Sequence, residues 1–347
     1  MVVNQITFSI LRVLPFQCDS GYLPCLTLKL HLWKENTFVN WDILINPSAC
    51  AGSAGRHWPS VKEELSSREI TFTAHFTDAP ERTRSIIADI ASRGARAVAV
   101  YGGDGTLSDA AAVLSSLPSP PALAVLPAGS GNDWARSIGL EHPDITSALE
   151  VMKNYSISLV DTAAAVWENG SRFFLNSSGI GLDAIVLHRA LTMRKYIPLP
   201  KLSYILSLAG SAVKPPVLNG RFTVDGEEFF SGSFLTFTVG VGSYSGGGMR
   251  LSPAAKPDDG LLDGLCLTEM GLLTIMRNLG RVFDGTLHST EWAKPAQGKV
   301  LRFENSNPGS FLLEADGEPV PIGNSRWLEL HVKPESLRVV TPASTEE

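Results

Sequence analysis

Two short apolar runs, Ala97–Tyr101 and Ala122–Leu126, each end in a glycine-rich turn that opens a helix-like segment. The turns read Gly102-Gly103-Asp104-Gly105-Thr106 and Leu126-Pro127-Ala128-Gly129-Ser130-Gly131-Asn132-Asp133. A strand, a tight turn and a helix, repeated at the spacing of a βαβ unit, leave few folds open: a parallel sheet with ligands at its carboxyl ends. Glycine lets the backbone come close to a ligand, and a helix N-terminus offers N–H groups and positive dipole to phosphate. An aspartate between glycines, with Thr106 expected as helix cap, suits phosphate or Mg²⁺ contact. Neither a GxxxxGK[ST] loop nor a GxGxxG after the first strand is present, so the phosphate site is of another kind.

The alternation extends from Trp41 to about Ser137. Apolar runs at 43–45, 70–76, 97–101 and 123–126 bracket helical stretches near 58–65, 81–92, 107–117 and 133–138. After a further helix around 144–153 the character changes. Asn169-Gly170 and Asp225-Gly226 sit between alternating apolar and polar residues as hairpin turns, so 160–335 reads as antiparallel β with one helical interruption, about 184–213. The strands 327–332 and 337–340 are placed to return to the first domain. Residues 1–37 carry neither a basic leader nor about 20 consecutive apolar residues, so neither a signal peptide nor a membrane span is expected there and no function is assigned.

The 347 residues suffice for two cores, and a net charge of -6 argues against a nucleic-acid partner, which demands a basic face. Four cysteines without a CxxC pair fit a reducing compartment, and seven histidines without metal spacing give no zinc site.

The motifs in order resemble the diacylglycerol kinase catalytic-domain family, related to sphingosine and ceramide kinases. The first turn is similar to the GGDGT signature shared with NAD kinases, whereas 126–136 resembles the LPxGTxNDxAR block of the lipid kinases alone. Ile45-Asn46-Pro47 with Gly52, Gly55 and Arg56, the block Phe174–Asp183 and Gly246-Gly247-Gly248-Met249 match further blocks, over residues 41–340. Ser130 stands where Thr is usual and Ser108 where Asn is usual.

The resemblance implies an NAD-kinase-like architecture: a three-layer α/β nucleotide-binding domain, 38–155, and an antiparallel β-sandwich-like substrate domain, 156–322. Residues 323–347 would pack back on the first. It implies an ATP-dependent lipid kinase, ATP lying across Asn46, Thr77, Gly102, Gly103, Asp104, Gly105, Thr106, Leu107, Ser108 and Ser130. A structural Mg²⁺ would rest on Asp259 with backbone oxygens of Lys256 and Leu261, although the turn 257–261 is also explained by its Pro, Asp and Gly alone.

Asp-Gly-Glu occurs twice. Asp225 is read as an ordinary hairpin residue. Asp316, in a less regular setting, takes the role of catalytic base. The segment 189–208 mixes Arg194, Lys195 and Lys201 with Tyr196, Tyr204 and aliphatic residues, which suits an interfacial lipid contact as well as a packed helix. The expected enzyme is cytoplasmic and peripheral to a membrane, with a lipid substrate and a homodimer left open. A kinase of the same fold with a soluble substrate such as NAD, and a non-catalytic nucleotide- or lipid-binding regulator, are the alternatives.

Overall fold

The computed structural model describes residues 40–140, 144–193, 197, 203, 206–208, 210–211, 217–307 and 311–343. The extension 1–37 and most of the segment 194–205, with Arg194, Lys195, Tyr196, Lys201 and Tyr204, lie outside them.

Strands β1 (Trp41–Ile45), β2 (Phe72–Phe76), β3 (Ala97–Gly102) and β4 (Ala122–Pro127) form a parallel sheet in the order β4-β3-β1-β2. They alternate with helices α1 (Ala49–Ser67), α2 (Pro80–Ser92), α3 (Asp104–Leu114), α4 (Asp133–Ser137) and α5 (Ile145–Lys153). Side-chain alternation makes three layers. Ile43, Ile45, Ala99, Tyr101 and Leu126 meet Trp58, Val61 and Leu65 of α1 and Leu149 of α5. Leu44, Val98, Val100 and Val125 meet Ile87, Ile90, Leu107 and Leu114 of α2 and α3 on the opposite face. Buried strands with apolar residues on both faces are what a covered parallel sheet requires.

The remainder is antiparallel: β5 (Tyr155–Trp167), β6 (Gly170–Phe174), β7 (Ser177–Gly181), β8 (Leu218–Val224), β9 (Glu227–Gly240), β10 (Leu262–Thr268), β11 (Ala293–Gly298), β12 (Val300–Asn305), β13 (Leu312–Ala315), β14 (Glu318–Pro321) and β15 (Trp327–Pro342). Helix α6 (Leu182–Met193) interrupts it, and α7 (Leu272–Asn278) and α8 (Arg281–Asp284) follow β10. Phe222, Phe234, Phe237 and Phe303 interlock at its centre with ring centroids 4.7–5.3 Å apart.

The last two expected strands are one. β15 pairs β12 along 327–331, bulges after Lys333, and then pairs β4 in parallel at Val339↔Leu123, so one hydrogen-bonded sheet joins both halves. The hairpin expected at Asn169-Gly170 turns instead at Glu168-Asn169, with Trp167 opposite Gly170.

Candidate active site

In the parallel sheet the chain leaves β1 for β2 on one side and returns to β3 on the other. The crevice beyond the carboxyl ends of β1 and β3 is therefore the topological switch point where such sheets bind ligands. Asn46, directly after β1, closes its floor. Its N–H donates to Tyr101 O (3.0 Å), its Nδ2 to Thr106 Oγ1 (2.8 Å), and its Oδ1 accepts from Ser48 N (3.0 Å). Thr106 is thus tied to the first loop and caps no helix. The N-cap of α3 is Gly103, with no side-chain cap.

The two glycine turns touch. A Cβ on Gly129 would stand 2.7 Å from Gly103 Cα and 2.9 Å from Asn132 Oδ1, so the contact admits no side chain. Asp104 pins the second turn: Oδ2 accepts from Asn132 N (2.9 Å) and Oδ1 from Trp134 N (3.3 Å). Both oxygens accept from protein amides, so the Asp104 carboxylate bridges the two turns. Neither α3 nor α4 is capped by the side chain of its own N-cap residue, and at α4 the Asp104 carboxylate takes the Trp134 N–H. Burial, and then the charge of Asp133, push Asp104 up to about 6. Asp133 in turn accepts from the N–H groups of Gly247 and Gly248, both at 2.7 Å, joining the turn to the loop 245–249.

Among the remaining residues assigned to ATP, Ser130 is exposed at the tip of the second turn, and Gly102, Gly103 and Gly105 lie along the first. Two others, Leu107 and Thr77, are buried. Leu107 is a core residue whose N–H already donates to Gly103 O. Thr77 is 2% exposed, its N–H given to Ile45 O and its hydroxyl shared with Ala79 O and Thr83.

Asp316 is the first residue of the β13–β14 turn, and Ser108 of α3 reaches it. Ser108 Oγ donates to Asp316 Oδ2 at 2.5 Å, and the N–H groups of Leu175 (2.7 Å), Asn176 (2.8 Å) and Ser177 (3.1 Å) donate as well. Burial raises its pKa, opposed by the Ser108 hydroxyl and the three amides. The turn is not irregular, as the sequence suggested. Ala315 pairs Glu318, and Asp316 (φ 48°) and Gly317 (φ 76°) lie between them. Asp225 (φ 50°) and Gly226 (φ 92°) form the same turn between β8 and β9, with Asp225 accepting from Lys299 N and Val300 N. Glu318, which pairs with Arg172 at 2.5 Å, stands over Gly105.

Sequence reasoning missed Asn176, Arg172, Glu318 and the neighbouring carboxyl groups of Asp183 and Glu314, the latter buried. The block Phe174–Asp183 held two of them without indicating what its amides bind. Burial pushes Asp183 up to about 6, and burial with the Asp183 charge raises Glu314.

Lys256, Asp259 and Leu261 share the loop before β10. Asp259 Oδ1 accepts from Leu261 N (3.0 Å), and the fully buried Asp161 holds the loop through Gly260 N (2.7 Å). No three His, Cys, Asp or Glu side chains converge as a metal cluster among the described residues.

The diacylglycerol kinase catalytic domain matches residues 40–165, and the YegS C-terminal NAD kinase β-sandwich-like domain matches 176–341. A relative from Pseudomonas syringae pv. tomato named "Probable lipid kinase YegS-like" is 31% identical, covering 75% of this chain and 80% of its own. A protein named diacylglycerol kinase from Mycobacterium tuberculosis is 26% identical over 86% of this chain and 94% of its own. A solved diacylglycerol kinase from Bacillus anthracis superposes with a TM-score of 0.66 over 90% of this chain and 100% of that one. At 19% identity this supports the fold alone. The chain belongs to the family of YegS-like lipid kinases built on the diacylglycerol kinase catalytic domain.

Proposed function

We propose that this lipid kinase transfers the γ-phosphoryl group of ATP to the hydroxyl of a lipid alcohol of the diacylglycerol type, with Asp316 as proton acceptor. The observation that carries the reading is the 2.5 Å contact of Ser108 Oγ with Asp316 Oδ2. It sets a half-buried carboxylate of the antiparallel half within the first turns of α3, whose uncapped start is the place for phosphate. A phosphate at that start and a hydroxyl at Asp316 are then neighbours.

The acceptor oxygen forms a bond to γ-phosphorus as the bond to the β,γ-bridging oxygen breaks, and its proton passes to Asp316. Three backbone amides fix the carboxylate, and burial keeps it basic. The glycine turns supply N–H groups without side chains, so charge is met by positioned dipoles rather than by a lysine.

Asp259, with backbone oxygens of Lys256 and Leu261, would hold Mg²⁺. One carboxylate oxygen stays outside its bond to Leu261 N, and the loop is made anionic by Asp161, Asp258 and Asp263. Few carboxylates with several waters suit this ion. When bound it would neutralise the loop.

A lipid acceptor resides in a bilayer and ATP in the cytoplasm, so the reading places the enzyme peripherally at a cytoplasmic membrane face. No helix among the described residues is long and apolar enough to cross a membrane.

Purified protein with γ-labelled ATP, offered diacylglycerol, phosphatidylglycerol and sphingosine in mixed micelles, and NAD in solution, tests the reading. Label is expected in diacylglycerol. Label in NAD, or in no lipid, refutes it.

A further inference from the structure

Helices α7 and α8 bury none of their residues, although the segment between Gly271 and Gly285 is rich in Leu, Ile, Met, Val and Phe. Eight large hydrophobic side chains stand exposed among the described residues. Four lie here: Leu272 (38%), Leu273 (70%), Met276 (49%) and Phe283 (53%). Single exposed hydrophobes are ordinary, but four within twelve residues, on two consecutive helices, are a concentration of the sort that meets a partner.

The segment is held firmly. Val282 packs against Leu265, Leu287 and Ala293, and its carbonyl accepts from Arg250 N at 2.7 Å. Gly285 (φ 76°) ends α8, where a Cβ would stand 3.3 Å from Pro253 Cβ and 3.4 Å from Arg250 Cβ. Arg250 directly follows the loop 244–249, which reaches both halves of the site. Gly247 and Gly248 donate to Asp133 of the second glycine turn, and Tyr244 O accepts from Asn176 Nδ2 (2.7 Å). The N–H of Asn176 is one of the donors to Asp316. The bare helices therefore hang on the segment that links the phosphate turns to the base.

Arg277 and Arg281 are exposed on the same pair of helices, and the acid beside them, Asp284, is engaged by the N–H and hydroxyl of Thr286 at 2.9 and 2.7 Å. With Glu269 before α7, the formal charges over 269–284 balance, so attraction at a distance is weak. Apolar insertion would supply the binding, and arginines beside it suit phosphate oxygens. A second copy of the chain fits less well. Four side chains present a few hundred Å² at most, short of the roughly 800 Å² per partner of a standard interface.

We propose that the α7–α8 face is the surface by which this protein docks on a phospholipid leaflet, inserting Leu272, Leu273, Met276 and Phe283 while Arg277 and Arg281 meet lipid phosphates. The proposal rests on the lipid-kinase reading for its choice of a bilayer, and its test uses no turnover.

The full chain is floated with vesicles of phosphatidylcholine, alone or mixed with phosphatidylglycerol. Leu273→Ser/Met276→Ser/Phe283→Ser should lower vesicle partition at least tenfold at unchanged melting temperature and ATP affinity. Arg277→Gln/Arg281→Gln should lose the salt-sensitive part of binding to the mixed vesicles only. If the triple variant melts early, Leu273→Ser alone, at the most exposed position, should still weaken partition about threefold. Equal flotation of wild type and serine variants, or absence of wild type from the vesicle fraction, overturns the proposal. So does loss of a dimer in sedimentation with flotation unchanged. Serine-sensitive flotation of a protein that labels no lipid would uphold this surface and refute the acceptor instead.

Discussion

Replacing Ser108 by Ala isolates the one donor to Asp316 that can be removed without touching the base. Among the described residues Asp316 accepts four hydrogen bonds, and only Ser108 Oγ belongs to a side chain. The three amides hold the carboxylate in the variant, so its place is kept. Each hydrogen bond to a charged group favours the ionised form by about 1.5–3 kcal/mol, and a pKa unit is worth about 1.4 kcal/mol. Taking the lower end, because the site is half open, the Asp316 pKa should rise by about one unit. A base works only when ionised, so activity falls as pH drops through that pKa. The acid limb of kcat/KM for Ser108→Ala should therefore move about one pH unit upward, with the rate on the plateau within about tenfold of wild type. Asp316→Asn differs in kind. It removes the proposed base, with an expected loss of roughly 10²–10⁴-fold in kcat. It also sets an amide against a backbone N–H of the 175–177 loop, at about 1–3 kcal/mol of stability. A pH–rate profile of Ser108→Ala whose acid limb coincides with wild type, while Asp316→Asn is inactive, refutes the coupling of the two residues.

Gly129→Ala should weaken ATP binding at least tenfold in calorimetry and lower the melting temperature, because its Cβ would meet Gly103 Cα at 2.7 Å. Unchanged affinity removes the paired turns from the nucleotide site. Mg²⁺ without nucleotide should raise the melting temperature of the wild type and not of Asp259→Ala; an equal rise in both places the ion elsewhere. Asp183 is pushed up to about 6 by burial, so its folded form holds the proton more tightly than the unfolded chain. Its contribution to stability is present below about pH 4 and is lost as pH rises through about 6. Asp183→Asn should therefore gain on wild type across that interval, up to a ceiling of about 3 kcal/mol in denaturant melts. A difference independent of pH refutes the assignment.

The three-layer half was legible because its code is local. Strands such as Ala97-Val98-Ala99-Val100-Tyr101 are apolar on both faces, and the turns between strand and helix carry their own glycines. What each glycine is for was less legible. Gly129 is small because Gly103 lies against it, and Asp104 faces the amides of Asn132 and Trp134 across 28 and 30 residues of chain. Contacts of that separation have no period or composition to mark them. The run 272–283 posed the opposite difficulty. Its residues suit a core helix, and only the sheet beneath it determines that Leu273 and Phe283 face outward.

The two Asp-Gly-Glu turns mark where local reading ends. Both have two central residues at positive φ, as a type I′ turn requires. In both, the aspartate N–H donates 2.9 Å to a strand carbonyl, Val300 O or Ser177 O, and the carboxylate accepts amides of that neighbouring strand. As turns they are equivalent, and the setting of Asp316 is no less regular than that of Asp225. The difference lies 208 residues away, where Ser108 of α3 meets Asp316, whereas among the described residues only backbone amides donate to Asp225. A hairpin tip becomes a candidate catalytic position when a second layer brings a phosphate-type helix start against it. The aspartate that already served to close the turn then stands within reach of the chemistry. One structural device is used twice, and what separates the two uses is the fold around them rather than the tripeptide.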